Sequence, residues 1–318
     1  MLLIVGNGLS IDLCLKHLGL VDLDPSSPFH FNVPNPCDKT LKLLDGFPLL
    51  TGLIVSQPFA GDYEIVHKFT QVYSKDNEQH RETHFELRPY LQYAYSYASQ
   101  VVQNQWREGW RWQHWLNRER ERIAGVVSFN YDLFVEIALD KTGIGCHRLG
   151  STEEVFNPVG VPVFKPHGSC DFDTTPGGMV YEGCDPHYLG VRTELCQTGF
   201  AGFPRCMAGV VPRARICTQR RAMADVVLPF EVSQQTHLDW VVQGYEATSR
   251  IAEGISVCVI VGLSYEGCDR REIDLILSFM SRQTKVHLVN PNPNQEFVQK
   301  LNRTFDDVSL IAPDEFLR

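Results

Sequence analysis

Six short apolar runs constrain this chain more than any other feature: Leu2–Val5, Gly125–Ser128, Val161–Lys165, Val226–Pro229, Val257–Val261 and Val286–Val289. All six are rich in aliphatic residues, and Gly, Pro or Asn often bounds them, which suits strands buried on both faces of a parallel sheet. Helical patterns fall between several of them, at Asp132–Lys141, His237–Glu253, Arg270–Ser281 and Asn294–Asn302. That alternation predicts an α/β fold with a Rossmann-like, doubly wound parallel sheet. Of the 318 residues, 43% are hydrophobic and 21% charged, enough apolar material for a full core.

The spacing of the runs is uneven. Over a hundred residues separate the first run from the second, and about sixty separate Val161 from Val226, far beyond ordinary loops. The chain is therefore expected to be one domain, 1–318, with its core in 1–21, 122–170 and 225–318. A helical insertion, 22–121, and a second, Gly/Cys-rich insertion, 171–224, would form a smaller lobe. The first insertion opens on the Pro-rich segment Asp24–Pro36 and closes on a helical stretch from about His84 to Arg122. Trp106, Trp110, Trp112 and Trp115 lie there among Arg107, Arg111, Arg118, Arg120 and Arg122. A Trp face packed on the core explains that pattern. So does a subunit or partner interface built on Trp110 and Arg111, since both residue types are enriched at binding hot spots.

Cys170, just before the second insertion, and Cys184, Cys196, Cys206 and Cys217 within it stand ten or more residues apart. Structural zinc usually takes close Cys pairs, so no metal is expected. Arg213, Arg215, Arg220 and Arg221 suit a solvated face. The glycines from Gly177-Gly178 to Gly183 suit a mobile cover over a nearby pocket.

The net charge of −9 provides no global positive field, so direct nucleic-acid binding is not expected. No apolar run is long enough to span a bilayer. The apolar start, Met1–Val5, stops at once in Gly6-Asn7-Gly8, too soon for a secretory core, and suits a first strand. A cytoplasmic location with reduced thiols is the resulting expectation.

Chemistry concentrates where the runs end. Leu2–Val5 leads into Gly6-Asn7-Gly8-Leu9-Ser10, a strand, a Gly-x-Gly turn and a helix start, which suits a pyrophosphate although Ile11 replaces the third glycine of the usual fingerprint. The second run leads into Phe129-Asn130-Tyr131-Asp132, with Asp132 also suited to capping the next helix. The third leads into Pro166-His167-Gly168-Ser169, where a histidine can serve as a base at neutral pH. Gly262-Leu263-Ser264, with Asp269 beyond, follows the fifth run, and Asn290-Pro291 the sixth.

Taken in order, Gly-x-Gly-x-Ser, Asn-x-Asp, His-Gly-Ser, Gly-x-Ser and strand-Asn resemble the sirtuin family along nearly its whole catalytic core. In wording they are most similar to the divergent sirtuin-like domains of prokaryotic anti-phage defence systems. The resemblance implies that Gly6, Gly8 and Ser10 hold the pyrophosphate of NAD, that Asn7 between them also contacts the cofactor, and that Gly262, Ser264 and Asn290 complete its site around the adenosine half. It implies that Asn130 and Asp132 line the nicotinamide-ribose pocket and that His167 is the catalytic histidine. The two C-x-x-C pairs of protein-deacylating sirtuins are missing, which places deacylation behind other activities. The implied activity is hydrolysis of NAD to ADP-ribose and nicotinamide, in abortive infection. A non-catalytic sensor of NAD or ADP-ribose is the alternative. Relatives of this kind assemble into oligomers and depend on companions such as a HerA-like ATPase or an Argonaute-like protein.

Overall fold

A computed structural model describes residues 1–35, 39–73, 86–151, 153–154, 158–173, 180–181, 208–210, 213, 216–217, 220–221, 224–228 and 239–318. Its strands are β1 (Leu2–Val5), β2 (Gly125–Ser128), β3 (Cys146–Arg148), β4 (Val161–Phe164), β5 (Gly168–Asp173), β6 (Gly209–Val210), β7 (Ala224–Val226), β8 (Val257–Val261), β9 (Lys285–Val289) and β10 (Val308–Ile311), besides a short antiparallel pair of 180–181 with 220–221. Its helices are α1 (Asn7–Ile11, prolonged by a π-helical stretch, Asp12–His17), α2 (Pro48–Ser56), α3 (Asp62–Tyr73), α4 (Arg88–Asn104), α5 (Arg111–Glu119), α6 (Phe134–Lys141), α7 (Asp239–Glu253), α8 (Arg270–Ser278), α9 (Gln295–Thr304) and α10 (Pro313–Phe316).

Seven strands form one all-parallel sheet in the order β10-β9-β8-β1-β2-β4-β3. Alternate side chains of the central strands feed two cores. Leu3, Val5, Val126, Val163 and Val259 pack with α1, α4 and α6. Leu2, Ile4, Val127, Cys258 and Ile260 pack with α7, α8 and α9. Because both faces are covered, the strands must be apolar throughout, and that is why they stand out in the sequence. The result is a helix–sheet–helix sandwich of Rossmann-like type. Among the described residues no helix is long and apolar enough to cross a membrane.

Three expectations need correction. Residues 224–226 do not join the main sheet. They pair antiparallel with β5 in a separate sheet, β6-β5-β7. The cause is the sharp turn after β4: Gly168 adopts a φ of +77° and sends β5 off the parallel sheet, and β7 follows β5. Two main-sheet strands, β3 and β10, have no counterpart in the apolar runs. The first reads Cys-His-Arg, and the second lies half-exposed at the sheet edge.

The expected helical stretch from His84 to Arg122 is broken. The helix α4 stops at Asn104, Gly109 takes a φ of +93°, and α5 starts afresh at Arg111. The new phase turns the tryptophans inward rather than toward a partner: Trp110, Trp112 and Trp115 are 2%, 3% and 4% exposed and belong to the same core as the sheet. Phe316 of α10 packs on Trp112 and Trp115, with ring centroids 5.9 and 5.4 Å away. Trp110 Nε1 donates to Asp12 Oδ2 at 3.0 Å, and Arg111 pairs with Asp314 at the surface. Truncating Trp112 to Ala should therefore cost about 3–5 kcal/mol in chemical denaturation. A loss under about 1 kcal/mol, typical of a surface position, would contradict its place in the core.

Candidate functional site

The carboxyl ends of the strands meet around two glycines. The backbone leaves β1 at Gly6, whose N–H donates to Val261 O, while Gly8 N–H donates to Gly262 O, both at 2.9 Å. A Cβ on Gly8 would stand 2.6 Å from Gly262 Cα, and Gly262 itself has a φ of +57°. The Gly-x-Gly turn is thus required by two backbones crossing in contact. Its Gly8 amide is engaged within the chain, as is Leu9 N–H by Gly6 O.

Outside this crossing lies a cleft of about 660 Å3 over the ends of β1, β8 and β9. The chain leaves β1 toward β2 on one side and β8 toward β9 on the other, so the cleft occupies a topological switch point, where parallel α/β sheets bind ligands. Five residues expected to hold a cofactor line it: Asn7, Gly8, Gly262, Ser264 and Asn290. Asp12, Lys16, Trp112, Glu266 and Pro313 also line it, and none of them was singled out in the motifs. Asn290 Nδ2 donates to Leu263 O at 3.4 Å, tying the ends of β9 and β8 together.

The remaining expected residues lie on the other side of β1 and are buried. Asn130 Nδ2 donates to Gly6 O at 3.1 Å and to Ser10 Oγ at 2.9 Å, and Ser10 Oγ donates to Asp132 Oδ2 at 2.8 Å. Asp132 Oδ1 accepts Phe134 N–H at 3.0 Å, so this carboxylate caps α6 from just outside it and holds Ser10 as well. Burial pushes the Asp132 carboxyl up to about 6, against the opposing pull of Lys165 and of its own hydrogen bonds.

Lys165 is buried beside it. Its Nζ donates to Asp132 O and pairs with Glu136 Oε1 at 3.1 Å, both side chains being wholly inaccessible. This pair clamps the loop bearing Asn130 and Asp132 to the start of the His167 turn. The helix α4 braces the same region: Leu133 N–H donates to Ser99 Oγ, Ser96 Oγ to Cys170 O, and Gln92 Nε2 to Phe172 O.

His167 sits in the tight turn between β4 and β5, with its carbonyl accepting Val227 N–H. Phe129 meets its ring edge-on at a centroid distance of 5.3 Å, and Tyr131 lies 6.2 Å away. Its Nε2 stands 3.7 Å from Asp269 Oδ1, at the start of α8.

The expected residues therefore fall into two groups joined through Gly6 and Gly8. Asn7, Gly8, Gly262, Ser264 and Asn290 line an open cleft. Ser10, Asn130 and Asp132 form a buried polar chain, with His167 on the neighbouring turn. Motif reading missed the roles of Lys165 and Glu136, although a lysine before Pro-His and a glutamate in an apolar helix were signals of a buried pair. Cys14, Cys146, Cys170, Cys217, Cys258 and Cys268 are free thiols, with burial pushing Cys146 and Cys258 up to about 12. Among the described residues no three His, Cys, Asp or Glu side chains are grouped to hold a metal ion. Cys184, Cys196, Cys206 and most of the expected Gly177–Gly183 cover lie outside the described residues.

No protein-family model matches the chain, and no curated protein matches it.

Because burial raises the Asp132 carboxyl above its ordinary value, its contribution to stability is full below about pH 4 and is lost as pH rises through about 6. Asp132→Asn removes that titration while keeping an oxygen for Phe134 N–H. Between pH 4 and pH 7 the wild type should lose about 2 kcal/mol relative to Asp132→Asn in urea unfolding. Parallel stability profiles for the two proteins would contradict the assignment.

Proposed function

We propose that this chain is an NAD hydrolase, cleaving the nicotinamide–ribose bond to give ADP-ribose and nicotinamide. The observation that carries the reading is the convergence at one end of the sheet. A cleft at the switch point shares its Gly6–Gly8 turn with the buried Asn130–Ser10–Asp132 chain, and an imidazole stands on the next turn. In this reading Asn7, Gly262, Ser264 and Asn290 hold the adenosine half of the dinucleotide. The nicotinamide ribose lies toward Asn130 and His167.

Cleavage builds positive charge on the ribose C1′, so the protein must hold the dinucleotide and present water to that carbon. The C1′–N bond breaks with its electron pair going to the ring nitrogen, and the pyridinium departs as neutral nicotinamide. The water oxygen bonds to C1′, and its proton passes to His167 and then to solvent. Asn130 directs its amide protons to Gly6 O and Ser10 Oγ, which leaves Oδ1 to accept from a ribose hydroxyl or from the water. Ser10 and Asp132 act from beneath by fixing that amide.

The same engagement of Asn130 and Asp132 in internal bonds favours a second reading, a sensor that binds NAD or ADP-ribose without turnover. Activation by assembly or by a companion, a HerA-like ATPase or an Argonaute-like protein in a cytoplasmic anti-phage response, belongs to the first reading. An unrestrained NAD hydrolase would be toxic.

Nicotinamide release from NAD separates the two. His167→Ala should lower turnover at least about 100-fold with an unchanged circular-dichroism spectrum, since His167 anchors its turn through its backbone. A folded His167→Ala protein with near wild-type turnover would end the hydrolase reading. Specific activity of the wild type should also rise with protein concentration. A value that stays high and constant on dilution would remove control by assembly.

A further inference from the structure

The loop leaving β8 enters α8 at Asp269, and Asp269 Oδ1 stands 3.7 Å from His167 Nε2, with the two side chains 16% and 9% exposed. That distance is within electrostatic reach and just beyond a hydrogen bond. Asp269 occupies the cap position of α8, but its side chain bonds none of the helix amides. Its carboxylate is held from elsewhere. Cys268 Sγ donates to Asp269 Oδ1 at 2.9 Å. Tyr131, on the other side of the imidazole, gives its hydroxyl proton to Val227 O at 2.6 Å. Asp269 is thus the carboxylate that the fold brings to Nε2.

We propose that Asp269 is the positioning residue of His167, and that the Cys268 thiol holds its carboxylate in place. The proposal rests on the reading of His167 as the base. A carboxylate at Nε2 fixes the proton there, leaves Nδ1 as the basic atom, and steadies the imidazolium formed when the water proton arrives. The gap closes to a hydrogen bond when ligand fills the site, as catalytic hydrogen bonds do on leaving the unliganded state.

The test compares the wild type with Asp269→Asn, Asp269→Glu and Cys268→Ala. Nicotinamide release is measured across NAD concentrations, and imidazole 15N–1H spectra are recorded with added ADP-ribose. The wild type should show a protected His167 Nε2–H proton, and Asp269→Asn should lose it. In Asp269→Asn kcat should fall about 10- to 100-fold with KM little changed, and Asp269→Glu should recover part of the loss. Cys268→Ala deletes a single sulfur, the one that donates to Asp269, so the fold is retained, and kcat should fall several-fold.

A folded Asp269→Asn protein within twofold of wild-type kcat would overturn the proposal, as would a wild type without the protected proton. If Asp269→Asn fails to fold, unchanged kcat in Cys268→Ala overturns it and the several-fold fall supports it. If the wild type releases no nicotinamide, the hydrolase reading fails by itself. The spectrum then decides the pairing alone: the protected proton upholds it, and its absence refutes it.

Discussion

The contact between Gly8 and Gly262 is the constraint on which the rest of the site depends. Two strand ends, 254 residues apart in sequence, cross with their backbones touching, in a space that admits no side chain. That crossing aligns the ends of β1 and β8, forms the floor of the cleft, and places Gly6 O where Asn130 can reach it. A glycine signature at a strand end is commonly read as a seat for phosphate. Here the glycines have a sufficient cause inside the protein, since the Gly8 amide already has a carbonyl partner. A ligand in the cleft would meet side chains and loop edges as much as bare amides.

Beside the crossing the protein buries an unusual amount of charge. Lys165 and Glu136 pair in full burial, and the buried Arg148 pairs with the equally buried Asp171 at 2.6 Å and with the half-buried Glu153 at 3.0 Å. Such pairs recover their desolvation cost only in good geometry, so they are poor general stabilisers and good locks for one conformation. Both locks brace the segments on either side of the His167 turn, one from the loop after β2 and one from β3 and β5. Asp171 and Glu153 hold the Arg148 guanidinium above its ordinary value even though burial opposes its charge. Lys165 has a second function, because its bond to Asp132 O fixes the backbone from which Asn130 and Asp132 project.

The sheet was legible in the sequence where strands are buried on both faces, because only aliphatic residues satisfy that position. It was illegible at β3 and β10, where one edge and part of a face meet solvent or loops and the composition relaxes. The Trp-rich segment carried a correct signal, a large apolar face, but not its direction. Gly109 resets the helix phase, and only the position of Phe316 reveals that the face turns inward. The candidate site was legible as strand-end motifs. Its division into an open cleft and a buried polar chain was not, since that depends on which side of β1 each strand lies. The approach of Asp269 to His167 joins residues about a hundred positions apart, and no local pattern marks it.

Pro313 lines the cleft while Phe316, three residues later, is wedged against Trp112 and Trp115. Trp112 itself faces both ways, part of the core and part of the cleft wall. The segment after β10 therefore belongs to two structures at once, walling the cleft with Pro313 and anchoring itself on the tryptophans with Phe316, so the outline of the cleft and the packing of the Trp core share a boundary.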